Sequence, residues 1–457
     1  MRLVSAAARP FSVASLAVFL IASGSGAARA QGAAPTLKVY HLDVGQGDAT
    51  LIVGPTGTTC LVDGGDAGQG NAVVVPQLLA LGVATLDVTV ASHWHADHFA
   101  GLAETAVAGF LPTVAYDRGL DGSLNGQFHY SAYQAAMASR RATLAPGTVI
   151  DLGGGASLTC VAANGATATG AAVALAGTAQ PENNRSIVLR LAYGNYQEAL
   201  GGDLQGGFNG TADVETAVAA AMGDVDVYKV HHHGSDTSTN GFWLGVLRPE
   251  TAIVSCGDGN PYGHPHAAVV NGLLAAPELA ALYRLNLCNP STLTPGDPRQ
   301  IASTGTLLVE TDGASYAISG PGAPATTRPV DDAATAPDWA PLDVVISELM
   351  INPKGPSGQP VQDVDGEWVE LRNNRPHPVN LLGFTLRDQG LDAFTLPSTP
   401  LAPQGRLLVG RSANAALNGG IVPDVVAPAN ELVLANGSDE LELVAPGGLV
   451  IDAVAWG

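Results

Sequence analysis

Hydrophobic and polar positions divide the chain into three kinds of text. Short apolar or alternating runs at Leu37–His41, Thr50–Val53 and Cys60–Val62, each bounded by Gly, Pro or Asp, predict strands. Asn71–Gly82 (NAVVVPQLLALG) has helical spacing and stops at a glycine, and Leu86–Ala91 then reads as a buried strand. Strands at Ser186–Leu191, Val225–Val230 and Thr251–Ser255 alternate with helices at Thr211–Met222 and His266–Ala276. Thr306–Glu310 and Ser315–Ile318, around Asp312-Gly313, predict a closing hairpin. Such alternation predicts a layered α/β architecture.

The text changes at Gly320. PGAPATTRPVDDAATAPDWAPL has no periodicity and is rich in Pro and Ala, so 321–341 is expected to be a linker. Beyond it, Val344–Leu349, Glu367–Arg372, Phe384–Leu386, Arg406–Val409, Glu431–Leu434, Glu440–Val444 and Val450–Val454 are short strands with turn signals between them. An all-β sandwich over 342–457 is expected. At the other end, Arg2 and Arg9 precede the apolar run Val13–Ala22, and Ala28-Arg29-Ala30 offers a cleavage site. This predicts a signal peptide over 1–30 and a protein exported from the cytoplasm. The apolar run is shorter than the roughly 20 residues a membrane span needs.

Composition narrows the chemistry. Twenty Lys and Arg stand against 41 Asp and Glu, a net charge of −21, which argues against a broad basic groove for nucleic acid. A polyanionic substrate would have to be drawn in by bound cations. Four cysteines, Cys60, Cys160, Cys256 and Cys288, allow three pairings, and the sequence does not choose among them.

Just past the strand ending at Ala91, Ser92–Gly101 reads SHWHADHFAG. Three histidines and an aspartate in six positions are ligands for zinc and its neighbours. A strand-to-helix loop can fan them out so that His93 and His95 serve one ion and Asp97 and His98 a second. This stretch resembles the signature of metallo-β-lactamase-fold hydrolases. Val39–Ala49 (VYHLDVGQGDA), Leu61–Gly65, Asn183–Leu189, Leu200–Leu204, Lys229–Ser235 (KVHHHGS) and Asn260–His266 (NPYGHPH) are similar, in order, to the branch that includes the hydrolase domain of the competence protein ComEC.

The resemblance implies a four-layer αββα domain over 31–320 holding two divalent metal ions, zinc or else manganese. It implies His93, His95, Asp97, His98 and Asp203 as ligands, Asp203 bridging the two. Aligning on Gly234-Ser235 makes His232 and His233 the matching pair, with His232 as ligand, His233 as a supporting partner of the ligands or a proton donor, and His231 as a strand-end residue. His264 is expected to complete a metal site or hold a phosphate oxygen. Asp97, His233 and His264 form the expected catalytic set, and which of His232, His233 and His264 is the last ligand stays open. Asp43, Gln46 and Asp48 are read either as hydrogen-bonding partners of the ligands or as turn chemistry. His129 and Tyr130 read as loop or core filling. Val345–Pro353, Glu367–Asn373 and Val379–Leu386 resemble a lamin-tail domain, immunoglobulin-like, which implies a surface or polymer ligand by association only. Its Glu348, Glu367 and Glu370 read as solvated strand-end carboxylates, with calcium binding as the alternative.

The function expected is a secreted phosphodiesterase or nuclease acting on extracellular DNA through a metal-activated water. The alternatives are a phosphorylcholine esterase, a lactonase or β-lactamase, or a surface-binding protein working through its tail domain.

Overall fold

The computed structural model describes residues 35–330, except 277 and 295, and of the C-terminal part 341–351 and 366–457, except 376–378, 382, 389–392, 398, 416–419, 421, 429–430, 436–437 and 446–448. The signal peptide expected over 1–30 lies outside the described residues, as do Asn352 and Pro353 of the tail motif.

The first domain is built on two sheets. Strands β1 (Leu37–His41), β2 (Thr50–Val53), β3 (Thr59–Val62), β4 (Val88–Ala91), β5 (Val114–Asp117) and β6 (Arg141–Thr143) begin the first. The second takes β7 (Val149–Gly153), β8 (Ala156–Ala163), β9 (Ala166–Thr167), β10 (Val188–Tyr193), β11 (Tyr196–Leu200), β12 (Val227–Lys229), β13 (Thr251–Val254), β14 (Ala281–Arg284) and β15 (Gln300–Ala302). The chain then returns to the first with β16 (Leu307–Thr311), β17 (Ser315–Gly320) and β18 (Ala323–Pro329). The orders are β18-β17-β16-β1-β2-β3-β4-β5-β6 and β15-β14-β13-β12-β11-β10-β8-β7, with β9 on β8. β3 to β6 and β11 to β15 are parallel, and the rest of each sheet is antiparallel.

Parallel neighbours need crossovers, and helices supply most of them. On the first sheet these are α1 (Val75–Ala80), α2 (Ala96–Val107) and α3 (Phe128–Met137); on the second, α4 (Val214–Met222), α5 (Gly241–Leu247) and α6 (Ala267–Ala275). Leu37, Val39, Ile52 and Cys60 of one sheet pack between the sheets against Leu158, Leu189, Val227 and Ile253 of the other. The opposite face of the first sheet packs on Phe99, Leu102, Tyr130 and Tyr133, and that of the second on Val218, Trp243 and Leu273. Strand periodicity sends successive side chains to opposite faces, so each sheet is covered on both. The result is the four-layer αββα arrangement.

Three expectations change. Ala323–Pro329, inside the expected linker, is a strand paired antiparallel with β17, so the first domain runs past 320. Pairing to an existing edge needs no apolar periodicity, and the exposed side chains of β18 explain the linker-like text. Glu431–Leu434 is not a strand; Leu432 and Leu434 are buried from an irregular segment. Glu367 is not solvated but buried, with Arg411 Nη1 2.9 Å from its Oε2, and Glu370 pairs with Arg406. Of the two readings for His129 and Tyr130, core filling holds for Tyr130, which packs from α3 against Trp94.

The C-terminal part forms sheets around Val369, Leu371, Phe384, Leu386, Leu441 and Leu443. Cys256 and Cys288 form a disulfide, while Cys60 and Cys160 are free and buried. Among the described residues no helix is long and apolar enough to cross a membrane.

Candidate metal centre

The candidate residues collect at the carboxyl ends of the parallel strands, where open α/β sheets commonly bind ligands. Asp63 follows β3, Ser92 and His93 follow β4, Asp203 follows β11, and His231 to His233 follow β12. His95 caps α2 and Asp97 lies in its first turn, where the helix dipole favours a carboxylate.

Asp63 fixes the first loop. Its Oδ1 accepts from Ser92 N at 2.8 Å, and its Oδ2 accepts from Ser92 Oγ at 2.7 Å and from His98 Nδ1 at 2.9 Å. His98 is thereby turned so that Nε2 lies 3.1 Å from Asp203 Oδ1. Gly202, at φ +51°, lets Asp203 approach, since a Cβ there would sit 2.7 Å from Ser92 Oγ.

Asp203 is the hub. Its Oδ2 lies 3.7 Å from His93 Nε2 and 3.6 Å from His232 Nε2; its Oδ1 lies 3.1 Å from His98 Nε2 and 3.5 Å from His233 Nε2. Asp97 Oδ2 joins the second group, 3.4 Å from His233 Nε2 and 4.0 Å from His98 Nε2. His95 joins the first, with Nδ1 3.1 Å from His93 Nε2.

His232 and His233 were expected to divide into ligand and supporting partner or proton donor. The structure brings both to Asp203, one on each oxygen. Consecutive residues of a strand would point apart, but His232 and His233 have φ of +50° and +55°. Two successive left-handed residues other than glycine are costly, of order 1–3 kcal/mol each, and occur where a site demands them. Their Nδ1 atoms are held by Thr237 Oγ1 at 3.0 Å and the Ser255 carbonyl at 2.9 Å. His231 points the other way, with Nδ1 2.8 Å from Glu215 Oε1 and its ring against Trp243.

His264 stands on the wall of the site. Asn260 brackets its backbone, accepting from His264 N at 2.9 Å and donating to His264 O at 2.8 Å. Its Nδ1 is 3.5 Å from Gln46 Nε2, and its ring centroid is 5.5 Å from that of His232. It therefore lies beside the group around Asp203 rather than within it. Asn183 reaches His232 Nε2 with its Nδ2 at 3.2 Å.

The site concentrates opposite charges. Burial alone would raise Asp203, but His98, His232 and His233 outweigh it and hold its carboxyl well below the usual range. Burial would likewise raise Asp48, whose carboxylate Lys229 and His233 hold low. In return, against the pull of burial, Asp203, Asp63 and Asp97 push His98 well above its ordinary value, and Asp203 and Asp48 push His233 up to about 10. Burial, then His233 and His232, push His264 down to about 3, so it faces the site as a neutral imidazole.

Asp203 Oδ1, His98 Nε2 and His233 Nε2 are buried without a hydrogen-bond partner. Each such atom costs about 1–3 kcal/mol if left unpaired. Three of them converge in groups whose ligand atoms all lie within 4.8 Å of one another: His93, His98 and Asp203; Asp97, His98 and His233; Asp48, Asp203 and His233. Imidazole nitrogens and carboxylate oxygens in this arrangement fit divalent metal ions of the zinc class.

Asp63, Ser92 and Lys229 received no role from the sequence, although Asp63 carries the same mark as His93, a polar residue directly after a buried strand. The alternative left for Asp48 resolves toward bracing, because it pairs with Lys229 and its Oδ1 lies 3.4 Å from His233 Nδ1. Asp43 accepts from Gly45 N and from Asn286 Nδ2, as turn chemistry.

The site opens into a cleft of about 1020 Å³. Asp121, Glu182 and Asp236 line it, and Arg185 is the one Lys or Arg among the described residues lining it. Glu182 accepts from Trp94 N at 2.8 Å and Arg118 Nε at 2.7 Å, tying the metal loop to the cleft wall.

The model of the metallo-beta-lactamase superfamily matches residues 42–158, and that of the lamin tail domain matches 338–457. The chain is 30% identical over 252 residues to Recombination protein 2 of Haemophilus influenzae, covering 52% of this chain and 26% of that protein. It is 28% identical over 244 residues to Competence protein ComA of Neisseria gonorrhoeae, covering 51% and 29%. It is 38% identical over 91 residues to ComE operon protein 3 of Bacillus subtilis, covering 20% and 11%. The chain thus spans under a third of the length of these relatives.

Proposed function

From a chain that carries a metallo-beta-lactamase superfamily domain followed by a lamin tail domain, we infer a metal-dependent hydrolase that cleaves phosphodiester bonds, with DNA outside the cytoplasm as its substrate. The observation that carries this reading is Asp203, whose two oxygens each face a separate histidine pair. His93, His95 and His232 would hold one ion with Oδ2; Asp97, His98 and His233 would hold the other with Oδ1. Two bound divalent ions acidify a water and neutralise charge that builds on a phosphoryl group.

The chain's own residues do the rest. Asp63, Thr237 and the Ser255 carbonyl each take the Nδ1 side of a histidine and turn its Nε2 toward the centre. The Asp48–Lys229 pair braces His233 from behind. Because the Ser255 carbonyl holds Nδ1 of His233 and its Nε2 would face a metal ion, the contact to the leaving or non-reacting phosphate oxygen would pass to His264, which offers a ring N–H from the cleft wall. Kinship with proteins named for recombination and competence supports DNA as the substrate. The run Val13–Ala22 with Ala28-Arg29-Ala30 supports export, and so does the Cys256–Cys288 disulfide, since such bonds persist in oxidising compartments. The tail domain then serves as an attachment module for a surface or polymer.

A cleft wall with Arg185 as the one Lys or Arg among its described residues favours one second reading, an esterase for a substrate with a cationic end such as phosphorylcholine. Zinc- or manganese-loaded chain from Gln31 should cleave single-stranded DNA and bis-p-nitrophenyl phosphate, and lose both activities in Asp203→Ala. Turnover of a choline phosphodiester or of nitrocefin with DNA left intact would replace the DNA reading.

A further inference from the structure

Three aromatic rings form a column from the mouth of the cleft to the metal centre. Tyr262, 63% exposed, lies nearly parallel to His264, with centroids 5.6 Å apart and planes 25° apart. His264 in turn lies nearly parallel to His233 at 6.1 Å and 24°. These separations are those of offset-stacked rings. His233 belongs to the group around Asp203, so the outer face of Tyr262 is two ring steps from the centre and borders the same cleft.

We propose that the outer face of Tyr262 is the stacking platform for an unpaired nucleobase a few nucleotides along the strand from the phosphodiester at the metal centre. The proposal rests on the phosphodiesterase reading and names what that site recognises beside the phosphate. The cleft explains why such a platform is needed. Among the described residues that line it, Arg185 is the one Lys or Arg, and these residues supply no line of cations of the kind that usually holds a nucleic-acid backbone. Stacking is indifferent to charge, and every base has a π face, so an exposed ring contributes affinity where the acidic wall does not. A column backed by His264 also holds the phenol ring in place, since His264 is itself fixed by both hydrogen bonds of Asn260. A base paired inside a duplex has no free face, so the substrate class is single-stranded DNA or a frayed end.

The test compares an oligothymidylate with an oligonucleotide of the same length built from abasic tetrahydrofuran units. Metal-loaded chain from Gln31 is assayed as wild type, Tyr262→Ala, Tyr262→Phe and Tyr262→Trp. Wild type should show a KM about tenfold lower on the oligothymidylate than on the abasic chain, the scale of one base–aromatic stack. That ratio should fall to about one in Tyr262→Ala and persist in the Phe and Trp variants. A ratio unchanged in Tyr262→Ala, or a wild type with no preference, overturns the platform. If wild type cleaves neither oligonucleotide, the phosphodiesterase reading fails, and the platform is decided by fluorescence anisotropy with the same two labelled oligonucleotides. Base-dependent binding lost only in Tyr262→Ala sustains it, and equal binding of both oligonucleotides overturns it.

Discussion

Replacing Asp63 by asparagine should cripple metal binding although Asp63 is not placed as a ligand. The carboxylate makes three buried hydrogen bonds, to Ser92 N, Ser92 Oγ and His98 Nδ1. An amide keeps an oxygen for Ser92 N but presents an NH₂ where Oδ2 stood. Ser92 Oγ can turn and accept from it; the N–H at His98 Nδ1 cannot. Either that N–H is left unpaired in a buried site, at about 1–3 kcal/mol, or the ring moves its proton to Nε2. The second outcome places hydrogen on the nitrogen that faces Asp203, where a lone pair is required for a metal ion. Loss of such an orienting partner weakens metal affinity about 10–100-fold, which is about 1.4–2.7 kcal/mol. Titration of zinc against a chromogenic chelator measures this directly, with His98→Ala as the reference for full loss and near-ultraviolet circular dichroism as the check on folding. Affinity of Asp63→Asn within about threefold of wild type, with His98→Ala impaired, would refute the orienting role.

Gly47→Ala should lose metal occupancy as well, because Gly47 has φ +140° and a Cβ there would run into the Asp97 carbonyl oxygen; full zinc binding by elemental analysis would contradict this. Chelation should lower the thermal midpoint, and zinc at a hundredfold excess over its Kd should restore about 2.7 kcal/mol, read by calorimetry. Replacing both Cys256 and Cys288 by serine opens a loop with a sequence separation of 32 and should cost about 3.7 kcal/mol in urea unfolding, from the loop-entropy relation. Burial pushes the Cys60 thiol from about 9 up to about 12, and Cys160 likewise, so neither should react with a thiol reagent at pH 8 until the chain unfolds. The sign follows for stability: between pH 9 and 12 the folded chain keeps protons that the unfolded chain releases, so stability falls as pH rises through that window. A flat alkaline limb in urea midpoints would count against this burial.

The ligand-rich loop was legible because its signal is local. An apolar strand ending at Ala91 and a helix following at once leave Ser92 to Asp97 few places to point, and the strand pattern from Leu37 to Val62 sets the neighbouring strands. Whatever depends on partners distant in the chain was not legible. The split of Asp203 between two histidine pairs requires β4 of the first sheet and β11 and β12 of the second to end side by side, which the packing of the two sheets decides. The left-handed turn at His232 and His233 is invisible to periodicity, since nothing in HHH tells a strand end from a turn. Cys256 finds Cys288 because β13 lies beside β14, with Cα atoms 5.5 Å apart, while Cys60 and Cys160 share the inter-sheet core without pairing. β18 escaped notice because an edge strand needs hydrogen-bond partners more than an apolar face. Local patterns determined which segments are strands and where metal-binding side chains cluster, and the resemblance pointed to Asp203; only the tertiary structure decided how its two oxygens divide among the histidines, since that is fixed by the packing of one sheet against the other.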